Sequence, residues 1–266
     1  MLSYPDIDPV AIQLGPVAVR WYGISYVAAI LLAWWLLNWR ARTSRPDWSR
    51  YQVADLIFYA AVGLIIGGRL GSVLFYNFAY YLDNPLSILK IWEGGMSFHG
   101  GLIGVLAAVW LFGRAAGKRF FDSSDFLAPV VPVGLGSGRI GNFINGELWG
   151  KPSELPWAMI FPDPRTGAVP RHPTQLYEAL LEGLVLFIVL WWFSSRPRPA
   201  MAVSGLFLFL YGVFRCGAEL VREPDAHIGY LAGEWLTMGQ VLSAPMIVAG
   251  AILLVLAYRR TGVGIP

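Results

Sequence analysis

The chain has 266 residues, 56% hydrophobic and only 14% charged, against about 25% charged in a soluble domain, so an ordinary water-soluble globule is excluded. The net charge of +3 is too small to mark a nucleic-acid binder, and the single cysteine, Cys216, excludes an internal disulfide. No Cys/His grouping has the spacing of a zinc site.

What remains is a membrane protein, and the hydropathy pattern agrees. A span needs about twenty apolar residues to cross a hydrocarbon core of about 30 Å. Seven segments qualify, so the expected fold is an all-α polytopic helical bundle. The first segment runs from about Val17 to Trp39, the second from Val53 to Tyr76, the third from Phe98 to Phe112. The fourth, Phe126 to Phe143, is interrupted by Pro129, Pro132 and several glycines. The fifth spans Thr174 to Phe193, the sixth Ala202 to Leu220, the seventh Met238 to Tyr258. No repeat and no separate soluble domain is visible, so residues 1–266 read as one integral-membrane domain. Asp6 and Asp8 precede the first basic residue, Arg20. That charge is wrong for a cleavable signal peptide, and the N-terminus is expected to stay.

Orientation follows from the short loops, because Lys and Arg concentrate on the cytoplasmic side. Arg40, Arg42, Arg45 and Arg50 follow the first span; Arg114, Lys118 and Arg119 follow the third. Arg196 and Arg198 follow the fifth, and Arg259 and Arg260 the seventh. The opposite side holds only Lys90, Lys151, Arg165, Arg171 and Arg222, although it carries the longest loop, about 144–173. The N-terminus is therefore expected outside and the C-terminus inside.

Four basic residues lie within or at the edge of spans: Arg20, Arg69, Arg139 and Arg215. An ionisable group in a bilayer costs roughly 2.5–3.5 kcal/mol on insertion scales and usually marks a functional site. Arg69, in the middle of GGRLG, reads as mainly structural. Arg139 belongs to GRIGNFINGELWG, residues 138–150, the most polar stretch of the chain. If the helix continues to Asn142, Arg139 and Asn142 share one face. Asn145 and Glu147 then fall on the following turn, and Gly141 and Gly146 permit close backbone approach. An arginine fork beside carboxamides suits a phosphate oxyanion. The bland alternative is an Arg139–Glu147 pair that only fixes the loop.

In the sixth span Tyr211, Arg215, Glu219 and Arg222 form one polar stripe on an apolar helix. Two arginines outweigh one glutamate there, which leaves positive charge for an anionic ligand; an ion-pair ladder is the structural reading. His99 opens the third span in SFHGGLIG and is a candidate general base. His172 is a weaker one. In RHPTQLYEALLEG, Gln175, Glu178 and Glu182 make another inward stripe, with Glu178 and Glu182 read as structural partners of the buried arginines. Trp21 fits an interfacial belt, and Tyr22 could donate a hydrogen bond. Several helices thus converge their polar ends on a cationic cavity near the outer leaflet, best matched by an anionic phospholipid headgroup. Charge alone leaves open whether that lipid is bound, moved or chemically changed. Against a transporter stands the absence of an internal repeat; a pure scaffold leaves the arginines unexplained.

The ordered motifs are more specific. GRIGNFINGELWG resembles the signature of bacterial prolipoprotein diacylglyceryl transferases. RWYG (20–23), GGMSFHGGLIG (94–104), RHPTQLYE (171–178), the sixth-span stripe and TMGQ (237–240) resemble the same family in the same order. The resemblance covers nearly the whole chain. It implies a seven-span inner-membrane enzyme with a periplasmic N-terminus, a cytoplasmic C-terminus and no metal or dissociable cofactor. It also implies transfer of the diacylglyceryl group of phosphatidylglycerol to the lipobox cysteine of a preprolipoprotein, with glycerol phosphate leaving. The catalytic residues so implied are His99, Arg139, Arg215 and Tyr22. Asn142, Asn145, Glu147, Gly150, Glu219, Arg222 and Tyr211 are grouped as substrate-binding positions. Cys216 reads as packing, since the acceptor thiol belongs to the substrate.

Overall fold

The computed structural model describes residues 2–5, 7–15, 17–224 and 229–261; Asp6 and the side chain of Arg260 lie outside the described residues. The chain is mostly helical. Among the described residues six helices are long and apolar enough to cross a membrane. They are α1 (Trp21–Thr43), α2 (Arg50–Phe75), α4 (Phe98–Ala116), the segment Thr174–Phe193, α9 (Ala202–Glu219) and α10 (Met238–Thr261). Their outer faces are apolar, as lipid contact requires: Val27, Leu31, Ile188 and Ile252 are all more than half exposed.

The interrupted fourth segment is α5 (Phe120–Leu127), a 3-10 turn (Ala128–Val130) and α6 (Val131–Ile144). Pro129 and Pro132 lack the N–H groups that a continuous helix needs. No uninterrupted helix of spanning length forms there. The segment Thr174–Phe193 is also irregular: α7 (Thr174–Glu178) passes through a π-helical stretch (Ala179–Val185) into α8 (Leu186–Phe193).

Two details correct the sequence reading. The first span starts at Trp21 rather than Val17, because Val17–Arg20 is a strand (β3) antiparallel to β2 (Val10–Leu14). The chain is also not purely α: a second two-stranded sheet pairs β1 (Leu2–Ser3) with β4 (Met159–Ile160) in parallel. A short helix, α3 (Phe78–Asp83), follows α2.

Contacts divide the chain into two compact units, Met1–Ala33 with Leu127–Pro266, and Trp34–Phe126. In the Trp34–Phe126 unit, α2 packs on α4 through glycines. A Cβ on Gly67 would lie 2.7 Å from Gly104 Cα, and one on Gly71 2.7 Å from Gly100 Cα. Gly63, Gly67 and Gly71 recur every four residues and form a small-residue stripe, which lets membrane helices approach at backbone distance. Arg69, on α2, is buried and donates to the carbonyls of Ile88 (2.8 Å), Gly95 and Lys90 (both 3.1 Å), and to those of Ser87 and Gly94. Its guanidinium also lies over the Tyr81 ring. These contacts make it a loop anchor, as its sequence context suggested.

In the other unit, α6 crosses the π-helical stretch at Gly136 and Gly183, where a Cβ on Gly183 would lie 2.7 Å from Gly136 Cα. Helix α9 lies against α10 at Gly212 and Gly250. Ala128, Leu186, Leu190, Val203 and Tyr211 form its apolar core.

Candidate active site

The site is built on Glu178, at the end of α7. This carboxylate has no solvent exposure and meets three guanidiniums. Arg139 Nε, from α6, lies 2.9 Å from Oε2. Arg215, from α9, donates to Oε1, and Arg222 Nη1, just beyond α9, reaches the same oxygen at 3.0 Å. A second layer of carboxylates holds the outer ends. Arg139 Nη2 is 3.5 Å from Glu182 Oε2, and Arg215 Nη2 is 2.5 Å from Glu219 Oε1.

The surplus positive charge expected from the stripe on α9 is therefore absent once the facing helix is counted. Arg139, Arg215 and Arg222 stand against Glu178, Glu182 and Glu219. Buried pairing of this kind fixes geometry more than it adds stability, because desolvation offsets much of the attraction. What distinguishes the arginines is access. The side chains of Arg139 and Arg215 keep 18% and 14% exposure while Glu178 and Glu182 have none. The arginine side chains of this cluster are therefore more accessible than the carboxylates of Glu178 and Glu182.

Glu219 is placed from the far side by the TMGQ segment. Thr237 Oγ1 donates to Glu219 Oε2 at 2.6 Å, and a Cβ at Gly239 would collide with the carboxylate. The motif thus supplies a hydroxyl and a missing side chain.

The turn after α6 forms a separate network. Glu147 Oε1 accepts from Asn142 Nδ2 (2.8 Å) and Asn145 Nδ2 (3.2 Å). The alternative Arg139–Glu147 pair is not formed, because Arg139 is taken by Glu178 and Glu182. Buried Gln175 donates from Nε2 to the Glu147 carbonyl at 2.5 Å, and Thr174 Oγ1 to that of Leu148, which has φ +60°. Tyr4 caps the helix from outside, donating to Phe143 and Ile144 carbonyls.

Tyr22 lies in the first turn of α1, and its ring rests on Gly141, where a Cβ would meet Cδ2 at 2.6 Å. Its hydroxyl is 3.3 Å from that of Tyr26, which sits over Gly138. Two glycines of GRIGN are therefore a seat for two tyrosines. Tyr26 was missed in the sequence, although its four-residue spacing from Tyr22 puts both on one face.

Both backbone groups of Gly150 are engaged within the protein. This glycine is a crossing point: its N–H donates to the His172 carbonyl at 2.8 Å, it bridges Arg222, and a Cβ would lie 2.6 Å from the Val221 carbonyl oxygen. Arg171 holds the same crossing, with Nη1 3.2 Å from the Gly150 carbonyl and 2.9 Å from Glu223, and its guanidinium over Trp149. Tyr211 lies in the apolar core, stacked on Phe207. Arg20 ends β3 with an exposed side chain. His172 is half-buried with Nδ1 3.2 Å from the Tyr177 hydroxyl, and burial holds its imidazole below the ordinary histidine range. His99 belongs to the Trp34–Phe126 unit, as the second residue of α4, and its exposed ring stands edge-on to Phe98. Among the described residues no grouping of His, Cys, Asp and Glu could hold a metal ion.

The comparisons agree with one another. The family model described as prolipoprotein diacylglyceryl transferase matches residues 9–256. A protein of Methylococcus capsulatus is 62% identical over 261 residues, 98% of this chain and 99% of the relative. One of Azotobacter vinelandii is 60% identical over 98% of both chains, and one of Coxiella burnetii 57% identical over 98% and 99%. All three carry the name phosphatidylglycerol–prolipoprotein diacylglyceryl transferase. On this coverage and identity, the chain belongs to the prolipoprotein diacylglyceryl transferase family.

Proposed function

We propose that the protein transfers the diacylglyceryl group of phosphatidylglycerol to the lipobox cysteine thiol of a preprolipoprotein, the first step of bacterial lipoprotein maturation. The sulfur forms a thioether with the glyceryl carbon, the carbon–oxygen bond to phosphate breaks, and glycerol phosphate leaves with that electron pair. The observation that carries the reading is the pair Arg139 and Arg215, fixed on one buried carboxylate yet still partly exposed. The leaving phosphate gains negative charge as the bond breaks, and preorganised cations at that place stabilise the transition state more than the bound lipid.

The remaining residues take supporting roles. A thiol with an ordinary pKa of about 8.5 must lose its proton to attack. His99 is the proposed acceptor, and Tyr22 donates a hydrogen bond beside the arginines. Asn142, Asn145 and Glu147 hold headgroup hydroxyls, Glu219 orients Arg215, and Arg222 adds to phosphate binding. Gly150 and Tyr211 shape the walls. No cofactor enters this scheme.

The whole chain is read as one inner-membrane domain of seven spans, counting the interrupted Phe126–Phe143 segment as a crossing. Basic loops then lie in the cytoplasm, the N-terminus and the region about 144–173 in the periplasm, and the site in the periplasmic leaflet. Supporting this are Arg40 and Arg42 in the last turn of α1 and Arg114 in that of α4.

The test is direct. Purified protein incubated with phosphatidylglycerol and a lipobox peptide should add one diacylglyceryl mass to the peptide cysteine. No added mass, with phospholipid instead moved across vesicles, overturns the reading in favour of transport. His99→Gln should abolish thioether formation while phosphatidylglycerol still binds; wild-type turnover would reject His99 as the base.

A further inference from the structure

The Trp34–Phe126 unit carries a concave surface of its own. A cavity of about 570 Å³ opens between the last turns of α1 and the first turn of α2. Its walls are aromatic and cationic: Trp34, Trp35, Trp39 and Tyr51 with Arg42 and Arg50. The four rings are 44–77% exposed, and the rings of Trp35 and Trp39 lie 5.7 Å apart.

The neighbouring basic residues of this unit all have partners. Arg45 and Lys118 share Asp47, Arg119 pairs with Asp122, and Arg114 lies over Trp110. Arg40 is buried over Phe126. Among the described residues, Arg42 and Arg50 alone in this group form no ion pair, hydrogen bond or cation–π contact with their side chains, and they are the two that line the cavity. Asp47 is already engaged, and Asp55, the next acidic residue along α2, pairs with neither. Arg50 also opens α2, whose first turn holds no acidic residue. A cation at the positive end of a helix dipole is unfavourable unless an anion joins it. Two unpaired guanidiniums on an interfacial tryptophan shelf present fork donors to phosphate and apolar walls to glycerol and the first acyl carbons.

We propose that this cavity binds the headgroup of an anionic phospholipid, at a site separate in the chain from the Glu178 cluster. In the orientation proposed above, that lipid lies in the cytoplasmic leaflet. Arg42 and Arg50 take the phosphate and any further anionic group, while Trp35, Trp39 and Tyr51 flank the glycerol level.

The test uses the full chain in detergent and native mass spectrometry, with phosphatidylserine as the anionic probe and phosphatidylcholine as the zwitterionic one. Wild type should retain phosphatidylserine preferentially. R42Q/R50Q should lower that retention roughly tenfold or more, whereas R114Q/R119Q, an equal loss of charge outside the cavity, should leave it near wild type. Equal losses in both double variants would reduce the effect to general surface charge and overturn the proposal; so would undiminished retention in R42Q/R50Q. Removing loop arginines can disturb insertion, so a second measurement needs no variant. Photoactivatable phosphatidylserine added to wild type should crosslink within residues 34–54, and adducts only elsewhere would overturn the proposal. Both readouts are lipid retention rather than thioether formation, so their failure leaves the transferase reading untouched.

Discussion

Arg139 Nε lies 2.9 Å from Glu178 Oε2, and the carboxylate it meets has no contact with solvent. The same Glu178 receives Arg215 and Arg222, so one side chain of α7 sets the positions of three guanidiniums from two other segments. Removing one partner of a buried ionic group is severe, typically about 3–5 kcal/mol, because the remaining charges lose their compensation. Glu178→Ala should therefore lower thermal stability clearly. Glu178→Gln keeps the shape and an acceptor oxygen but not the charge. It should remain folded in the membrane and lose diacylglyceryl transfer by roughly tenfold or more, the scale of one misplaced charge-assisted hydrogen bond. Melting curves beside peptide mass gain separate the two effects; a fully active Glu178→Gln would remove Glu178 from the role of organiser.

Gly141 carries a sharper steric prediction. A Cβ there would stand 2.6 Å from the Tyr22 ring, so Gly141→Ala must displace Tyr22 or α6. Overpacking of this size costs typically 1–3 kcal/mol. Activity should fall to the level of Tyr22→Ala, and the double variant should be little worse than either single one. Independent, multiplying losses would show that Gly141 acts through something other than Tyr22. Gly134→Ala, on the same helix with nothing within 4 Å of the added carbon, is the matched control.

The spans were legible because lipid contact demands long apolar runs, and the break in the fourth was legible because proline removes donors. The start of α1 was not. Val17 to Val19 are as apolar as the helix that follows, and hydropathy cannot tell a lipid-facing helix from an apolar hairpin strand. In the site, the stripes on α7 and α9 could be read from i, i+3 and i+4 spacing, and their mutual pairing was foreseeable from charge. Which arginine meets which carboxylate could not be read, because it depends on how α6, α7 and α9 face one another. Arg139 was therefore offered Glu147, eight residues away in the chain, when its partner lies 39 residues on. The roles of Thr237 and Gly239 were hidden for the same reason: a hydroxyl and an absent Cβ have meaning only beside Glu219.

Arg69 tests the structural side. It donates to five backbone carbonyls between Ser87 and Gly95, which a planar fork can do and a lysine cannot. Arg69→Lys should leave most of those carbonyls without a partner and loosen residues 85–95. Hydrogen exchange should rise there in the variant while α9 stays protected. Unchanged protection across 85–95 would mean that the loop is held by other contacts.

His172 yields a pH prediction. Burial holds its folded pKa below the ordinary value of about 6.5, since the charged ring loses hydration at the Tyr177 hydroxyl. Below pH 6.5 the unfolded chain takes up the proton first. Protons then favour unfolding, and stability declines as pH falls from 6.5 towards the folded value, below which the penalty is complete. The ring is only half-buried, so the effect is small and best read at the residue itself. In a carbon-13 NMR titration of histidine-labelled protein, the resonance lost in His172→Gln should titrate below 6.5. A midpoint at or above 6.5 would show that His172 gains a carboxylate or another acceptor for its charged form.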